Sequence, residues 1–304
     1  MCLAGLIAQS MNEELLRPQR LFRYFSPGYS HMFTEQRLWF AAASDFDDIF
    51  EVFPRYDVLV PHLLNMVLIK KYAFLPPEVD IPYEEFRRRT MPLRRQIMAD
   101  CMEEYPEVLQ EKVGLYYGII CFTERPDSLL MWGHYTDGHR GFVVEFDPEH
   151  ELFSPRDFAK VVYEPTRPTL TMEADSRMLL RKSPEWAYED EWRLIRPRSE
   201  LVAGEYVRNG VKKHGHYVAL PMQAVKAVYF GCKMSANHRD SVLQPLSAFP
   251  HVRRFFMKRH PIEYKLDAIP WEEWKEPKKS AREILDIPWP IPPAKSCKEQ
   301  EGQV

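Results

Sequence analysis

The sequence lacks any close pair of cysteines. It has five in 304 residues, and an odd, dispersed set is typical neither of a disulfide framework nor of a zinc site. We therefore expect free thiols and a cytoplasmic protein. The cysteines are Cys2, Cys101, Cys121, Cys232 and Cys297.

Motifs of several large enzyme classes are also missing. The 12 glycines form neither GxGxxG nor GxxxxGK[ST], which disfavours a Rossmann enzyme and a P-loop ATPase. The sequence contains no HExxH, no GxSxG and no Cys-His pair at metal-ligand spacing. Classical metalloproteases and α/β-hydrolases are therefore disfavoured, and we expect no metal cofactor.

Neither a long apolar run nor a large net charge is present. The apolar stretch 3–8 is too short to span a bilayer and makes a poor signal peptide, so we expect no membrane partner. The formal charge of −3 gives no net attraction to a phosphate backbone. Nucleic acid stays open as a partner only through local basic patches.

What the chain does have is ample material for a core, with 45% hydrophobic and 13% aromatic residues. Its alternating and helical patterns predict an α+β fold with a mixed, largely antiparallel sheet, flanking helices and a helical insertion. Strands are predicted at 22–25, 38–41, 115–123, 141–146, 159–163, 191–195, 216–220, 225–230 and 252–258, and helices at 31–36, 127–135, 172–180 and 236–246. Asp127 is the expected N-cap of its helix.

The same patterns predict one domain between two extensions. We expect an N-terminal extension at 1–19, a single α+β domain at 20–265 and a flexible C-terminal tail at 266–304, because the tail is rich in Pro, Lys and Glu. The helical insertion falls at about 61–113, given the usual tolerance on boundaries. Its prolines must divide it into separate pieces.

A first group of candidate residues surrounds the helix predicted at 127–135. His134 and Tyr135 end this helix, and His139 and Arg140 open the next strand. The four side chains are therefore expected to converge at the opening of one binding site. Histidine titrates near neutrality and tyrosine offers a polar donor, which suits a polarised ligand. In the alternative interpretation, Trp132 and Tyr135 are core aromatics and His134 caps the helix C-terminus.

A second group is formed by two carboxylates in a Glu-x-Glu pattern. In a strand beginning near Asp190, Glu189 and Glu191 share one face because side chains alternate. Such a pair can bind a ribose hydroxyl, stabilise a developing cation or supply a general base. The alternative is a solvated acidic turn in which Glu191 pairs with Arg193.

A third group is an acidic loop that can be interpreted as an oxygen-rich metal site. It lacks the spacing and the glycine of an EF-hand, so loop capping is the favoured role. Its members are Asp45, Asp47, Asp48 and Glu51.

Taken as an ordered set, these motifs resemble a large family of uncharacterised bacterial proteins, a domain of unknown function. The resemblance covers about residues 20 to 260. The chain departs from it at Asp47-Asp48-Ile49, where the family tends to have Asn-Asp-Pro, and in the length of the insertion. The motifs are Arg23-Tyr24, Cys121-Phe122-Thr123-Glu124, Leu130-Met131-Trp132-Gly133-His134-Tyr135, His139-Arg140-Gly141-Phe142 and Trp186-Ala187-Tyr188-Glu189-Asp190-Glu191-Trp192-Arg193.

The motif order also distantly resembles that of ADP-ribosyltransferase folds, which implies NAD as a substrate and a role in phage defence or as a toxin. By this resemblance Arg23 contacts the NAD pyrophosphate or ribose, and Tyr135 or His134 packs on the nicotinamide. Glu191 then holds the ribose and stabilises the oxocarbenium-like transition state, with Glu189 as its partner carboxylate. Other expected cofactor-binding residues are Tyr24, Trp132, His139 and Arg140.

Three functions follow as hypotheses. The first is an NAD-dependent ADP-ribosyltransferase with a macromolecular or small-molecule acceptor. The second is a nuclease or other phosphodiester-processing enzyme that uses His134, His139, Arg140 and the carboxylates. The third is a non-enzymatic ligand- or partner-binding module, in which the basic insertion binds a partner and the conspicuous residues are structural.

Overall fold

The structure is a computed structural model that describes residues 17–52, 113–168, 176–208 and 211–275, with a few single positions between 85 and 111. Most of the predicted insertion at 61–113, the first part of the helix predicted at 172–180 and the tail beyond 275 lie outside the described residues. So does most of the predicted extension at 1–19.

The described residues include thirteen strands and three complete α-helices, and residues 113–116 are also helical. The strands are β1 (Leu21–Phe25), β2 (Arg37–Phe40), β3 (Tyr117–Thr123), β4 (Phe142–Phe146), β5 (Phe158–Lys160), β6 (Val162–Tyr163), β7 (Arg181–Lys182), β8 (Glu191–Pro197), β9 (Val202–Arg208), β10 (Val211–Ala219), β11 (Val225–Phe230), β12 (Arg253–Arg259) and β13 (Leu266–Pro270). The helices are α1 (His31–Glu35), α2 (Leu129–His134) and α3 (Ala236–Leu246). Short 3-10 turns join several of them.

The strands are arranged in one large sheet and two small ones. The large sheet has the order β13-β12-β11-β4-β1-β3-β8-β5, and only its β11–β12 pair is parallel. A second sheet has the order β2-β10-β9, and β6 pairs with β7. This arrangement confirms the predicted α+β class with a mixed, largely antiparallel sheet.

Apolar side chains cover both faces of the large sheet. One face packs its phenylalanines, including Phe25, Phe122 and Phe146, into the main core cluster. On the other face, Met131 and Trp132 of α2 join a second cluster. Because both faces are buried, the central strands are almost continuously apolar.

The three-stranded sheet packs around Trp39. Gly204 and Gly215 face each other across β9 and β10, and an added Cβ at Gly215 would lie 2.9 Å from the Tyr206 ring and 3.2 Å from the Trp39 ring. The two glycines thus leave room for the Trp39 indole, whose ring centroid lies 4.8 Å from that of Tyr206. This packing positions two aromatic rings beside the site described below.

Several details differ from the sequence predictions. The segment predicted as one strand at 159–163 is divided, because the Val161 amide donates to the Glu191 carbonyl at 2.8 Å before the chain leaves the large sheet and pairs with β7. The N-cap of α2 is Ser128, whose hydroxyl accepts from the Met131 amide at 3.3 Å. Residues 176–180 form a 3-10 turn.

Three further strands, the two-residue β7 together with β9 and β13, were not predicted. β9 was missed because its Val-Ala-Gly-Glu sequence has weak strand propensity. β13 lies beyond the predicted domain boundary at 265 and pairs with β12. Trp271 and Trp274, which follow it, pack against the main core.

Candidate functional site

A cavity of about 480 Å³ opens where β1, β2 and β3 meet. Its volume lies in the range of small-molecule and cofactor sites. Six of the residues predicted for a site line it: Arg23, Tyr24, His134, Tyr135, Glu189 and Glu191. The structure therefore brings together the early arginine, the helix end and the Glu-x-Glu carboxylates, which are far apart in sequence.

The cavity exists because the large sheet opens between β1 and β3. These strands share one registered pair, Phe22 with Thr123, whereas β3 is paired along its whole length with β8. Thr123 is in register with Glu191, so alternation places Glu191 on the Phe22 face and Arg23 on the opposite face. Both side chains nevertheless line the cavity.

A buried ionic cluster forms one wall, and Arg193 is its centre. The Arg193 side chain has 0% exposure, and its Nε and Nη2 atoms donate to the two oxygens of Glu191 at 2.8 and 3.0 Å. Its Nη1 atom donates to Glu51 at 2.6 Å and to the Leu179 carbonyl at 2.7 Å. A buried guanidinium with these partners is well satisfied.

Lys182 extends this cluster to the second carboxylate of the Glu-x-Glu pattern. Its Nζ lies 2.6 Å from Glu189 Oε2, 3.1 Å from Glu191 Oε2 and 3.8 Å from Glu51 Oε2. The other Glu189 oxygen accepts a hydrogen bond from the Tyr135 hydroxyl. Lys182 therefore joins three carboxylates, and Tyr135 ties Glu189 to the end of α2.

The backbone conformation around these glutamates differs from the predicted strand. Glu189 ends the 3-10 turn Pro184–Glu189, and Asp190 has a left-handed φ of 45° before β8 begins at Glu191. The expectation that alternation along one strand aligns Glu189 and Glu191 was therefore wrong. They converge because the turn at Asp190 folds the chain and because both contact Lys182.

The pKa values of Glu189 and Glu191 are shifted in opposite directions. Burial raises the pKa of Glu189, and the nearby ammonium of Lys182 only partly offsets this. Burial also acts to raise the pKa of Glu191, but the charges of Arg193 and Lys182 outweigh it and lower this pKa to about 2. Pairs of carboxylates with opposite pKa shifts are typical of sites in which one group transfers a proton and the other stabilises charge.

The alternative of a solvated acidic turn is contradicted in part. Glu191 does pair with Arg193, as that interpretation expected, but Glu189 and Glu191 are 3% and 2% exposed. The cluster joins three buried carboxylates to Lys182 and Arg193. Carboxylates held in a buried wall are suited to a ligand group on which positive charge develops.

Arg23 presents the opposite electrostatic feature at the same cavity. Its Nη1 atom is buried and has no hydrogen-bond partner among the described residues. Its guanidinium lies 5.1 Å from the Phe25 ring centroid and 6.0 Å from that of Phe122. Burial lowers the pKa of Arg23. A guanidinium in this setting is suited to an anionic ligand group.

Aromatic and acidic side chains dominate the rest of the lining. The aromatic residues are Phe22, Tyr24, Phe25, Tyr29, Trp39, Phe40, Phe46, Phe122, Tyr135, Trp186 and Tyr206. The acidic residues are Asp45, Asp47, Asp48, Glu51, Asp137, Glu189 and Glu191, against two lysine or arginine side chains, Arg23 and Lys182. The cavity thus offers flat apolar surfaces and a negative potential with a single arginine inside it.

Three of the residues predicted to bind a cofactor do not line the cavity. Trp132 is fully buried in the second core cluster and donates from Nε1 to the Pro126 carbonyl at 2.8 Å. His139 stacks on the Trp132 ring, and Arg140 is exposed and donates to the Asp137 carbonyl at 2.9 Å. Of the four polar residues expected to converge, His134 and Tyr135 line the cavity. The turn after α2 directs His139 and Arg140 away from it.

The acidic loop has the capping role that was favoured for it. Asp45 Oδ2 accepts from the Ala42 amide at 3.0 Å, and Asp48 Oδ1 accepts from the Phe50 amide at 2.9 Å. In the described part of the chain no group of three or more His, Cys, Asp or Glu side chains is arranged to hold a metal ion. Within the same residues, no helix is both long and apolar enough to cross a membrane.

Sequence reasoning gave no site role to Lys182, considered Glu51 only within the acidic loop, and treated Arg193 only as an ion-pair partner. Lys182 lies 7 residues before Glu189, so its position was a usable signal. The contact between Glu51 and Arg193 spans 142 positions, and no local pattern indicates it.

Comparison with known proteins adds a family but no reaction. A family profile described as "Protein of unknown function (DUF2971)" matches residues 131–194. No curated protein and no solved structure matches the chain. The matched segment runs from α2 to β8 and includes Tyr135, Lys182, Glu189 and Glu191. The segment that is similar to this family of unknown function thus contributes these residues to the cavity wall.

Proposed function

We propose that the cavity binds a nucleotide, with NAD as the expected substrate, and cleaves its N-glycosidic bond to transfer the sugar to an acceptor. One observation carries the proposal: a buried arginine atom without a partner and a carboxylate pair of opposed acidity line the same aromatic cavity. The arginine suits a phosphate, the aromatic rings suit a planar base, and the carboxylates suit a sugar that becomes cationic.

Each group has a role in this reaction. The bond between ribose C1′ and the nicotinamide nitrogen breaks, and its electron pair neutralises the pyridinium ring. Positive charge then develops on the ribose, where the carboxylates of the cluster stabilise it. The acceptor forms a new bond to C1′ and gives up its proton.

Glu189 is the proposed base for that proton. Its raised pKa makes it a stronger base than an ordinary carboxylate, which improves proton transfer near neutral pH. Glu191 stays ionised because its pKa is about 2, and it holds Lys182 and Arg193 in place. This assignment moves the reacting role from Glu191, which the resemblance favoured, to Glu189, because the pKa of Glu189 is raised whereas that of Glu191 is lowered.

Phosphodiester cleavage is less well supported by the same lining. Among the described lining residues, seven acidic side chains against one Lys and one Arg disfavour a polyanionic backbone, whereas nucleic-acid sites neutralise phosphates with Lys and Arg. The proposed nuclease residues His139 and Arg140 also lie outside the cavity lining. The partner-binding alternative depends on the insertion, most of which is outside the described residues.

The binding half of the proposal is tested by calorimetric titration with NAD. Wild-type protein is expected to bind, and Arg23→Met is expected to lose affinity by about tenfold or more, because it keeps the apolar stem but removes a charge-assisted hydrogen bond. Arg156→Met, an exposed arginine, is the control and should bind like wild type. Absence of NAD binding by the wild-type protein would overturn the proposal.

A further inference from the structure

Asp48 is a second buried polar group whose hydrogen bonding is incomplete. The residue is 8% exposed and lines the cavity. Its Oδ1 atom caps the Phe50 amide, but its Oδ2 atom is buried and has no hydrogen-bond partner among the described residues. A buried carboxylate oxygen in this state costs free energy unless a donor or a cation meets it.

The surroundings of Asp48 are suited to a cation. Asp45 and Asp47 also line the cavity, as do Trp39 and Tyr206. Carboxylates bind organic cations through charge-assisted hydrogen bonds, and aromatic faces attract them through cation–π contacts. Among the described residues, Arg23 is the only arginine that lines the cavity, and it forms no ion pair with Asp48 in that part of the chain.

The Asp48 loop is also tied to the proposed reacting groups. The Glu51 amide donates to the Asp48 carbonyl at 3.0 Å. The Glu51 carboxylate contacts Arg193 and lies 3.8 Å from the ammonium of Lys182, which contacts Glu189 at 2.6 Å. A group bound at Asp48 therefore shares a cavity and a connected wall with the proposed base.

We propose that Asp48 forms an acceptor subsite that binds an organic cation, a guanidinium or an ammonium group, through its unpartnered oxygen. The assignment of this cation as the acceptor rests on the proposed function. In the transfer, the acceptor nitrogen bonds to C1′, the bond from C1′ to the nicotinamide nitrogen breaks, and the acceptor proton goes to Glu189. Neutral nicotinamide leaves with the electron pair.

Binding of the cation is tested without NAD, so that its outcome is separate from glycosidic chemistry. The probes are N-acetyl-arginine amide, which represents a protein side chain, agmatine, which represents a small guanidine, and N-acetyl-lysine amide for the ammonium group. N-acetyl-citrulline amide is the matched neutral control, since its ureido group has nearly the shape of guanidinium without the charge. Calorimetry is expected to show saturable binding of at least one cationic probe and none of the citrulline probe.

Asp48→Asn gives the decisive comparison. The amide keeps the size of the side chain and an oxygen for the Phe50 amide, so thermal stability is expected to equal or exceed that of wild type. Binding of the cationic probe is expected to fall about tenfold or more, because a charge-assisted hydrogen bond is lost. The control Asp240→Asn removes an exposed carboxylate on α3 and should not change binding.

Three results overturn the subsite. They are equal binding of the arginine and citrulline probes, unchanged cation binding in a folded Asp48→Asn protein, and no binding of any cationic probe. A protein that binds the cation but releases no nicotinamide from NAD keeps the subsite and loses the proposed function. A protein that releases nicotinamide from NAD but binds no cationic probe keeps the proposed function and loses the subsite.

Discussion

At the scale of single residues, the site depends on how charge is distributed around Glu189. Tyr135 and Lys182 each contact one of its oxygens, and burial raises its pKa. Glu191 has the opposite shift, although it lies two residues away and is equally buried. Local sequence cannot indicate this difference, because it arises from the bidentate contact with Arg193.

Removing the Tyr135 hydroxyl should change the pH dependence of the reaction. The hydroxyl stabilises the ionised form of Glu189, so in Tyr135→Phe the pKa of Glu189 is expected to rise further. Activity that requires ionised Glu189 increases as pH rises through this pKa, and the variant should therefore need a higher pH. Nicotinamide release across pH values is the measurement, and Tyr264→Phe, which is 99% exposed, is the control. An unchanged profile in Tyr135→Phe would argue against Glu189 as the base.

Lys182 should be essential for stability. Its side chain is 8% exposed and contacts Glu189 and Glu191, so Lys182→Met removes the cation that contacts the buried carboxylate of Glu189. Loss of one partner of a buried ion pair costs about 3–5 kcal/mol. Urea unfolding should show a decrease of this size, whereas Lys212→Met, an exposed lysine, should change the free energy of unfolding little. A small effect in Lys182→Met would contradict the buried cluster.

Glu191 should make folding sensitive to acid. Its pKa is lowered from 4.5 to about 2, so it contributes stability that is present above pH 4.5 and is lost as pH falls towards 2. Glu191→Gln cannot titrate and should be less stable near neutral pH but less dependent on pH in this window. Melting temperatures between pH 2 and 5 test this, with exposed Glu205→Gln as the control. Parallel curves for wild type and Glu191→Gln would contradict the lowered pKa.

At the scale of elements, the sequence predicted strands and helices where apolar periodicity is strong. β1, β2, β11 and α3 were predicted nearly to their ends, because each combines a clear pattern with flanking turn residues. β9 was not predicted, because Gly204 weakens the strand pattern. This glycine faces the Trp39 ring. The opening between β1 and β3 depends on how these two strands pair. The residue pattern within one strand does not indicate how it pairs with its neighbours.

The glycine at the centre of the small sheet should control one wall of the cavity. In Gly215→Ala the new Cβ would lie 2.9 Å from the Tyr206 ring and 3.2 Å from the Trp39 ring, so both rings must move. Overpacking of this kind typically costs about 1–3 kcal/mol, and tryptophan fluorescence and NAD affinity should change together. In Gly133→Ala the added Cβ meets nothing within 4 Å, so stability should be equal or higher. If Gly215→Ala is destabilised but its NAD affinity is unchanged, this wall of the cavity does not contribute to NAD binding.

At the scale of the whole molecule, the candidate site is a product of the tertiary fold. Arg23 and Glu191 are far apart in sequence and lie on opposite faces of the sheet, yet both line one cavity. The motif order predicted six of its lining residues, including Tyr135 and both glutamates. It did not predict the net acidity of the cavity, since that depends on where the loop with Asp48 and Glu51 folds.

The central claim is that Glu189 takes part in cleavage of an N-glycosidic bond at this cavity. The most direct measurement is chromatographic detection of nicotinamide after incubation of NAD with wild type, Glu189→Gln and the exposed-site control Glu263→Gln, with folding of each verified by circular dichroism. We predict release by wild type and Glu263→Gln, and a loss of about 100-fold or more in Glu189→Gln, the lower range for a general base. No release by wild type, or equal release by a folded Glu189→Gln, would contradict the account.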